Sequence, residues 1–305
     1  MHSKVSPFGC DIIKNMRKLI SVLILVSVIQ VPGAARAFTI SNFSTPESMA
    51  VDPDDGSYFV SNINGGPTDK DGNGFISKVS PNGNIVIQKF IGGKKDEPLL
   101  HAPKGLAIVK KTLFVTDIDA VKCFDKDTGK HVLTIDFSRR AVKFLNDLAT
   151  DGSDFLYVSD ILTNEIFTIN LRKNYRVRLF KRGSELGSPN GLMVNPRSKN
   201  LMVVTWQSGQ ILEIDRAGKI HVLKRGLTTL DGIDHDHEGN IYVSSFEKGE
   251  IYKIAYFGRG VLNTFLNGLT TPADISCDRK KQELLIPSFK GNTVLTVSLK
   301  PDATA

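Results

Sequence analysis

Cysteine is scarce in this chain, with three in 305 residues. Cys10 lies near the start, while Cys123 and Cys277 fall in repeat units, set out below, that are not neighbours in a closed ring. That separation excludes a disulfide between them under the usual distance limit, so two buried free thiols are expected and cysteine gives no guide to compartment. Long apolar runs are also missing. The longest, Leu19 to Val31, is thirteen residues, short of the roughly 20 a spanning helix needs. Nor is there a long basic run with interleaved aromatics. The formal charge is +7, but residues 1–37 hold Lys4, Lys14, Arg17, Lys18 and Arg36 against Asp11, which leaves the rest of the chain near +3. A balance that mild weighs against nucleic acid as a partner. No linker, low-complexity tract or second domain interrupts the remainder.

What is present begins with a leader. Lys14, Arg17 and Lys18 precede the apolar run, and Ala35-Arg36-Ala37 offers a small-x-small cleavage site before Phe38, the pattern of a secretory signal peptide over residues 1–37. Met16 offers an alternative start. The expectation is a periplasmic or secreted protein with no membrane attachment after cleavage, its residues 38–305 forming one domain.

A phrase then recurs. Thr229 to Phe246 reads as a polar lead-in, Leu230-Asp231-Gly232, a short strand, a turn at Glu238-Gly239-Asn240 where the Gly-Asn pair is expected to supply positive backbone angles, and a second strand, Ile241-Tyr242-Val243. Related copies open at Pro46-Glu47, Pro103-Lys104, Leu145-Asn146, Pro189-Asn190 and Pro272-Ala273, spaced 57, 42, 44, 41 and 42 residues apart at the aligned position. A period of about 40 to 45 residues with several strands per unit predicts a β-propeller. The fold class expected is all-β: six blades of four strands. The sixth unit shows three strands of its own, so Phe38 to Phe43 is expected to supply its outer strand and close the ring with the N-terminus.

If each first strand starts at one face of the disc, the lead-in residues of all units converge on one mouth of the central channel. That ring holds Glu47, Lys104, Asn146, Asn190 and Asp231, with Asp274 close by. Carboxylate and amide oxygens are the donors a hard divalent cation such as calcium prefers. A single Asn or Asp in such a place is an ordinary turn former, whereas several at one register of the repeat point to a shared site. Asn62, Asp117 and Asp160 end the second strands on the same face, open to ligation, substrate contact or loop capping. Trp206, the one tryptophan, follows the fourth unit's second strand, placed to stack on a sugar ring or to pack.

Pro46-Glu47, Asn146-Asp147, Ser188-Pro189-Asn190-Gly191-Leu192 and Leu230-Asp231-Gly232-Ile233 together resemble the gluconolactonase, or senescence-marker-protein and regucalcin, family over essentially the whole chain after the leader. The resemblance implies a divalent cation, calcium first, with Glu47, Asn190 and Asp231 as ligands and Asn146 on metal or substrate. It implies hydrolysis of a lactone, with Asp231 or Asp147 as the base. Lys104 departs from the pattern. It is free to bind an anionic substrate such as a sugar acid, to pair with Glu47 and Asp231 in place of a cation, or to bend out to solvent.

Two motifs stand apart. Asp69, Asp71 and Asn73 match the early positions of a calcium-binding loop, but Ser80 stands where a bidentate Glu belongs, which favours a polar turn over a second ion. His235-Asp236-His237 lies at the far end of its strand and is expected to be a solvated turn. Two functions follow: a metal-dependent hydrolase of lactones or related esters acting on a small molecule, or a non-catalytic propeller that binds a ligand or another protein with at most a structural ion.

Overall fold

A computed structural model describes residues 36–93 and 99–300. Strand β1 (Arg36–Ile40) comes first, followed by six sets. These are β2 (Pro46–Val51), β3 (Tyr58–Asn62), β4 (Phe75–Val79) and β5 (Ile85–Ile91); then β6 (Pro103–Val109), β7 (Thr112–Asp117), β8 (Ala120–Asp125) and β9 (His131–Asp136). Blade three is β10 (Leu145–Thr150), β11 (Phe155–Asp160), β12 (Glu165–Asn170) and β13 (Arg176–Arg182); blade four is β14 (Pro189–Val194), β15 (Leu201–Thr205), β16 (Ile211–Ile214) and β17 (Ile220–Lys224). Blade five is β18 (Leu230–His235), β19 (Ile241–Ser245), β20 (Glu250–Ile254) and β21 (Leu262–Leu266), and the last segment gives β22 (Ser276–Asp278), β23 (Glu283–Ser288) and β24 (Thr293–Ser298). Every sheet has four strands, and the sixth runs β1-β24-β23-β22. The N-terminal strand therefore completes the last blade, as the pattern predicts.

The closing strand sits two to three residues earlier than Phe38–Phe43. Asn42 has φ 71°, which ends the extended run, and Phe43 turns inward, 4% exposed, against Met49 and Leu285. Residues 1–35 of the expected leader lie outside the described residues, while Arg36 and Ala37 belong to β1. Among the described residues no helix is long and apolar enough to cross a membrane.

Apolar side chains alternate along the strands because successive residues face opposite sides of a sheet. The result is six clusters, one between each pair of adjacent blades, besides a small seventh of Ile63, Ala102 and Ile118. Phe59 and Ile76 meet Leu106 and Val115 between blades one and two, and Phe114 and Cys123 meet Leu148 and Val158 between two and three. Tyr58 and Val60 meet Leu285 and Val294 where the ring closes. Burial of each large side chain contributes about 1.5–3 kcal/mol, so closure of the ring buries a core as continuous as any other interface in it. Cys123 and Cys277 are buried free thiols. Burial raises Cys123 to about 12.

The turn at Gly239 differs from the reading above. Only Gly239 there has positive φ, at 83°, and the loop is built by Asp236. Its carboxylate accepts from the amides of Glu238 and Asn240, both at 2.9 Å, and from Tyr242 Oη at 3.1 Å. Asp236 is buried. The segment is an aspartate-capped loop whose tip, His237 and Glu238, is exposed to solvent as expected.

Candidate functional site at the channel mouth

In five blades the pairing of the first two strands slips at the lead-in: between Pro46 and Met49, Pro103 and Leu106, Leu145 and Leu148, Pro189 and Leu192, and Leu230 and Ile233. The unpaired residues of such bulges re-aim their side chains. Here they are the predicted ring: Glu47, Lys104, Asn146, Asn190 and Asp231. All are no more than 6% exposed.

In three blades a hydroxyl on the second strand holds the bulge. Ser61 Oγ accepts from Ser48 N at 2.9 Å, Ser159 Oγ accepts from Asp147 N at 3.0 Å and donates to Asn190 O at 2.8 Å. Ser244 Oγ accepts from Gly232 N at 2.7 Å and donates to Ala273 O at 2.8 Å. Each of the last two ties one blade's bulge to the next. Sequence reasoning passed over these hydroxyls, although Val60-Ser61, Val115-Thr116, Val158-Ser159 and Val243-Ser244 repeat at one register. Blades approach so closely that a Cβ at Gly191 would collide with the Asp231 carbonyl oxygen, so only glycine fits there.

Within the ring, Asn146 Nδ2 donates to Asn190 Oδ1 at 2.5 Å, and Asn190 Nδ2 donates to Asp231 Oδ1 at 3.2 Å. Glu47 joins the last blade through its carbonyl, which accepts from Asp274 N at 3.0 Å. Two buried oxygens in the ring lack a protein partner: Glu47 Oε2 and Asn146 Oδ1. Buried polar atoms are nearly always satisfied, so such a pair needs a cause. Among the described residues no three His, Cys, Asp or Glu side chains form a ready metal cluster. The donor set is instead two carboxylates and two amides, oxygen throughout, and the orphaned acceptors fit a hard cation.

Electrostatics point the same way. Burial holds the Glu47 carboxyl well above its ordinary range, with Asp231, Asp274 and Asp147 raising it further and Lys104 opposing. Asp231 is raised by burial and by Asp274. Asp147 is raised by burial and Asp274 against amide bonds that favour its charge, and burial lifts Asp274 to about 7. Four carboxyls thus share a site with one ammonium.

That ammonium, Lys104, is 1% exposed, which overturns an outward-bending side chain. Nζ donates to Ala102 O at 2.8 Å and lies 4.6 Å from the Phe144 ring centroid. Burial pulls it down to about 8, opposed by Glu47 and Asp117.

Asp147 sits one step below the ring. Both its oxygens accept backbone amides at 2.6 Å, from Leu148 and Leu192. Asn62, Asp117 and Asp160 serve loops. Asn62 Oδ1 accepts from Ser44 N, and Asp160 from the amides of Lys143 and Leu162. Asp117 accepts from the amides of His101 and Ala102 and pairs with Lys122 at 2.6 Å. All three are buried and committed, so of the roles open to them capping is the one their bonds fill, not substrate contact. The Asp69 loop is closed by its own hydrogen bonds. Asp69 and Asp71 are exposed, accepting from Gly66 N at 3.1 Å and Asn73 Nδ2 at 2.6 Å.

An apolar rim surrounds the mouth. The residue after each second strand is Ile63, Ile118, Ile161, Trp206, Phe246 or Phe289. Trp206, half-buried, packs 5.3 Å from Phe246, which packs 5.5 Å from Phe289. Thr45, Ser188, Thr229 and Thr271, facing them one residue before the repeats, all have positive φ, strain of about 1–3 kcal/mol each of the kind that gathers at functional sites. Beneath the ring, a cavity of about 460 Å³ runs from Asp147 and Asp274 to Pro53, Pro196 and Arg279 at the opposite face.

No protein-family model and no curated protein sequence matches the chain. Solved structures do. A catalytically inactive virginiamycin B lyase from Staphylococcus aureus with quinupristin superposes with TM-score 0.60 at 14% identity, covering 86% of this chain and 99% of that one. A nidogen/laminin complex gives 0.59 at 20%, covering 72% and 80%, and a structural genomics protein from Bacteroides thetaiotaomicron gives 0.62 at 15%, covering 87% and 75%. At these identities what is shared is the architecture, and the chain is a six-bladed β-propeller.

Proposed function

We propose that the protein is an exported, divalent-cation-dependent hydrolase of lactones or related esters, with calcium the first candidate. The observation that carries this reading is the pair of unpartnered, buried oxygens, Glu47 Oε2 and Asn146 Oδ1, in a ring whose other acids are forced toward protonation by burial. Glu47, Asn190 and Asp231 would hold the ion, and Asn146 would reach it or the substrate. The resemblance to the gluconolactonase and senescence-marker-protein family supports the same assignment.

Once bound, the ion supplies Lewis acidity toward an ester carbonyl. The chain's own groups do the rest. Asp231 Oδ1 is fixed by Asn190, which leaves its second oxygen to take a proton from water. Lys104, held over Phe144 with one donor on Ala102 O, retains donors for a developing oxyanion or for the carboxylate of a sugar acid. Trp206, Phe246 and Phe289 exclude water from one side and offer a stacking surface.

The test is proton release from a panel of lactones by chelator-treated protein, with and without added calcium. Hydrolysis that stops on chelation and returns with the ion is expected. Quenching of Trp206 fluorescence by a lactone without any turnover would instead favour the non-catalytic reading, for which the depth of the ring beneath the apolar rim is the supporting observation.

A further inference from the structure

The outer strands of the blades allow an internal comparison. Strands β1, β5, β9, β17 and β21 each carry at most one Lys or Arg. Strand β13, RVRLFKR, carries four: Arg176, Arg178, Lys181 and Arg182. This short basic strand, with Phe180 its one aromatic, is a local excess that the mild overall charge conceals. Charged residues do protect exposed strand edges from pairing, but that need is the same in all six blades and accounts for none of the excess in one.

The excess also converges with charge from elsewhere. A groove of about 830 Å³ between blades two and three is lined by Arg139 and Arg140 on one side and Arg176 and Arg178 on the other. Arg140 is fixed there, its Nη2 donating to Val177 O at 2.6 Å and its guanidinium 5.9 Å from the Phe167 centroid. Lys181 is paired with Glu185 at 3.1 Å and Arg182 with Glu165. The four groove arginines have no carboxylate within ion-pair distance among the described residues. Asp136, the one acid in the lining, accepts from Ser138 N and Oγ, both at 2.7 Å, and its charge offsets part of that of Arg139, which leaves the groove a net excess of arginines. With Val177 O already taken by Arg140, the strand edge is a poor template for an added peptide strand.

We propose that this groove is an anion site, separate from the channel mouth, for a small ligand bearing two or more phosphate or sulfate groups. Planar guanidinium forks match tetrahedral oxyanions in pairs. Two facing pairs of arginines suit two such groups on one scaffold better than a single ion.

Titration of tripolyphosphate and of orthophosphate into the full chain, in about 50 mM salt where screening is weak, tests the assignment. Tripolyphosphate is expected to bind at least about tenfold tighter than orthophosphate. Arg176→Ser combined with Arg178→Ser should remove that binding, while Arg225→Ser, an exposed arginine on another blade, should leave it unchanged. Equal affinity for the two anions, equal loss in the Arg225 variant, or binding unaltered by the double variant would each overturn the proposal. So would an unstructured oligonucleotide binding as tightly as tripolyphosphate, since that is the behaviour of a general polyanion surface.

Discussion

Asp231→Asn is expected to make the chelator-treated protein more stable while stripping it of its cation. Asp231 is one of four buried carboxyls raised by burial, three of them raised further by Asp274. Replacing it with an isosteric amide removes a like charge and keeps an oxygen for Asn190 Nδ2, now 3.2 Å from Oδ1. Urea unfolding in chelator should show a gain of about 1–2 kcal/mol, the size of other stabilising changes at strained functional sites. Calcium affinity should fall more than about 100-fold, because charge count governs how tightly oxygen sites hold this ion. Proton release from lactones should disappear with the ion. A variant that is less stable without calcium would show that Asp231 is a structural residue whose charge the fold needs.

The second large effect is on pH. An acid whose folded-state pKa lies above its unfolded value binds its proton more tightly in the native state. Its stabilising contribution is complete below the unfolded pKa, near 4, and is lost as pH rises through the folded one. For Asp274 that window runs from about 4 to about 7. Glu47, Asp147 and Asp231 shift in the same direction. Chelator-treated protein should therefore lose stability on going from pH 5 to pH 8, by on the order of 3 kcal/mol from Asp274 alone. Saturating calcium should flatten or reverse the slope, since the ion binds the ionised ring. Thermal melts at a series of pH values, with and without calcium, measure both curves. Identical curves would mean that the acids find their neutralisation within the protein.

How far the sequence foretold this arrangement depends on which residues shared a register. Glu47, Asn146, Asn190 and Asp231 recur at one position of a visible repeat, and a propeller turns a shared register into a ring. The closing strand was visible for the same reason: one blade was a strand short. Asn62, Asp117 and Asp160 shared a register too, but each accepts backbone amides of a neighbouring loop, and backbone partners leave no mark in a side-chain pattern. Lys104 turned inward because Ala102 O and the face of Phe144 receive it. No repeat predicts such a local partner. The arginine groove stayed hidden because it joins a turn after β9 to the outer edge of β13, neighbours only once the blades stand side by side.

The central claim is that the mouth holds a divalent cation, and calorimetric titration of calcium into chelator-treated protein tests it most directly. One ion per chain, with the heat abolished in Glu47→Gln and retained when Asp69 and Asp71 are both replaced by asparagine, is the predicted result. Absence of heat with calcium and with other divalent ions at millimolar concentration, or binding that follows the Asp69 loop instead of Glu47, would contradict it.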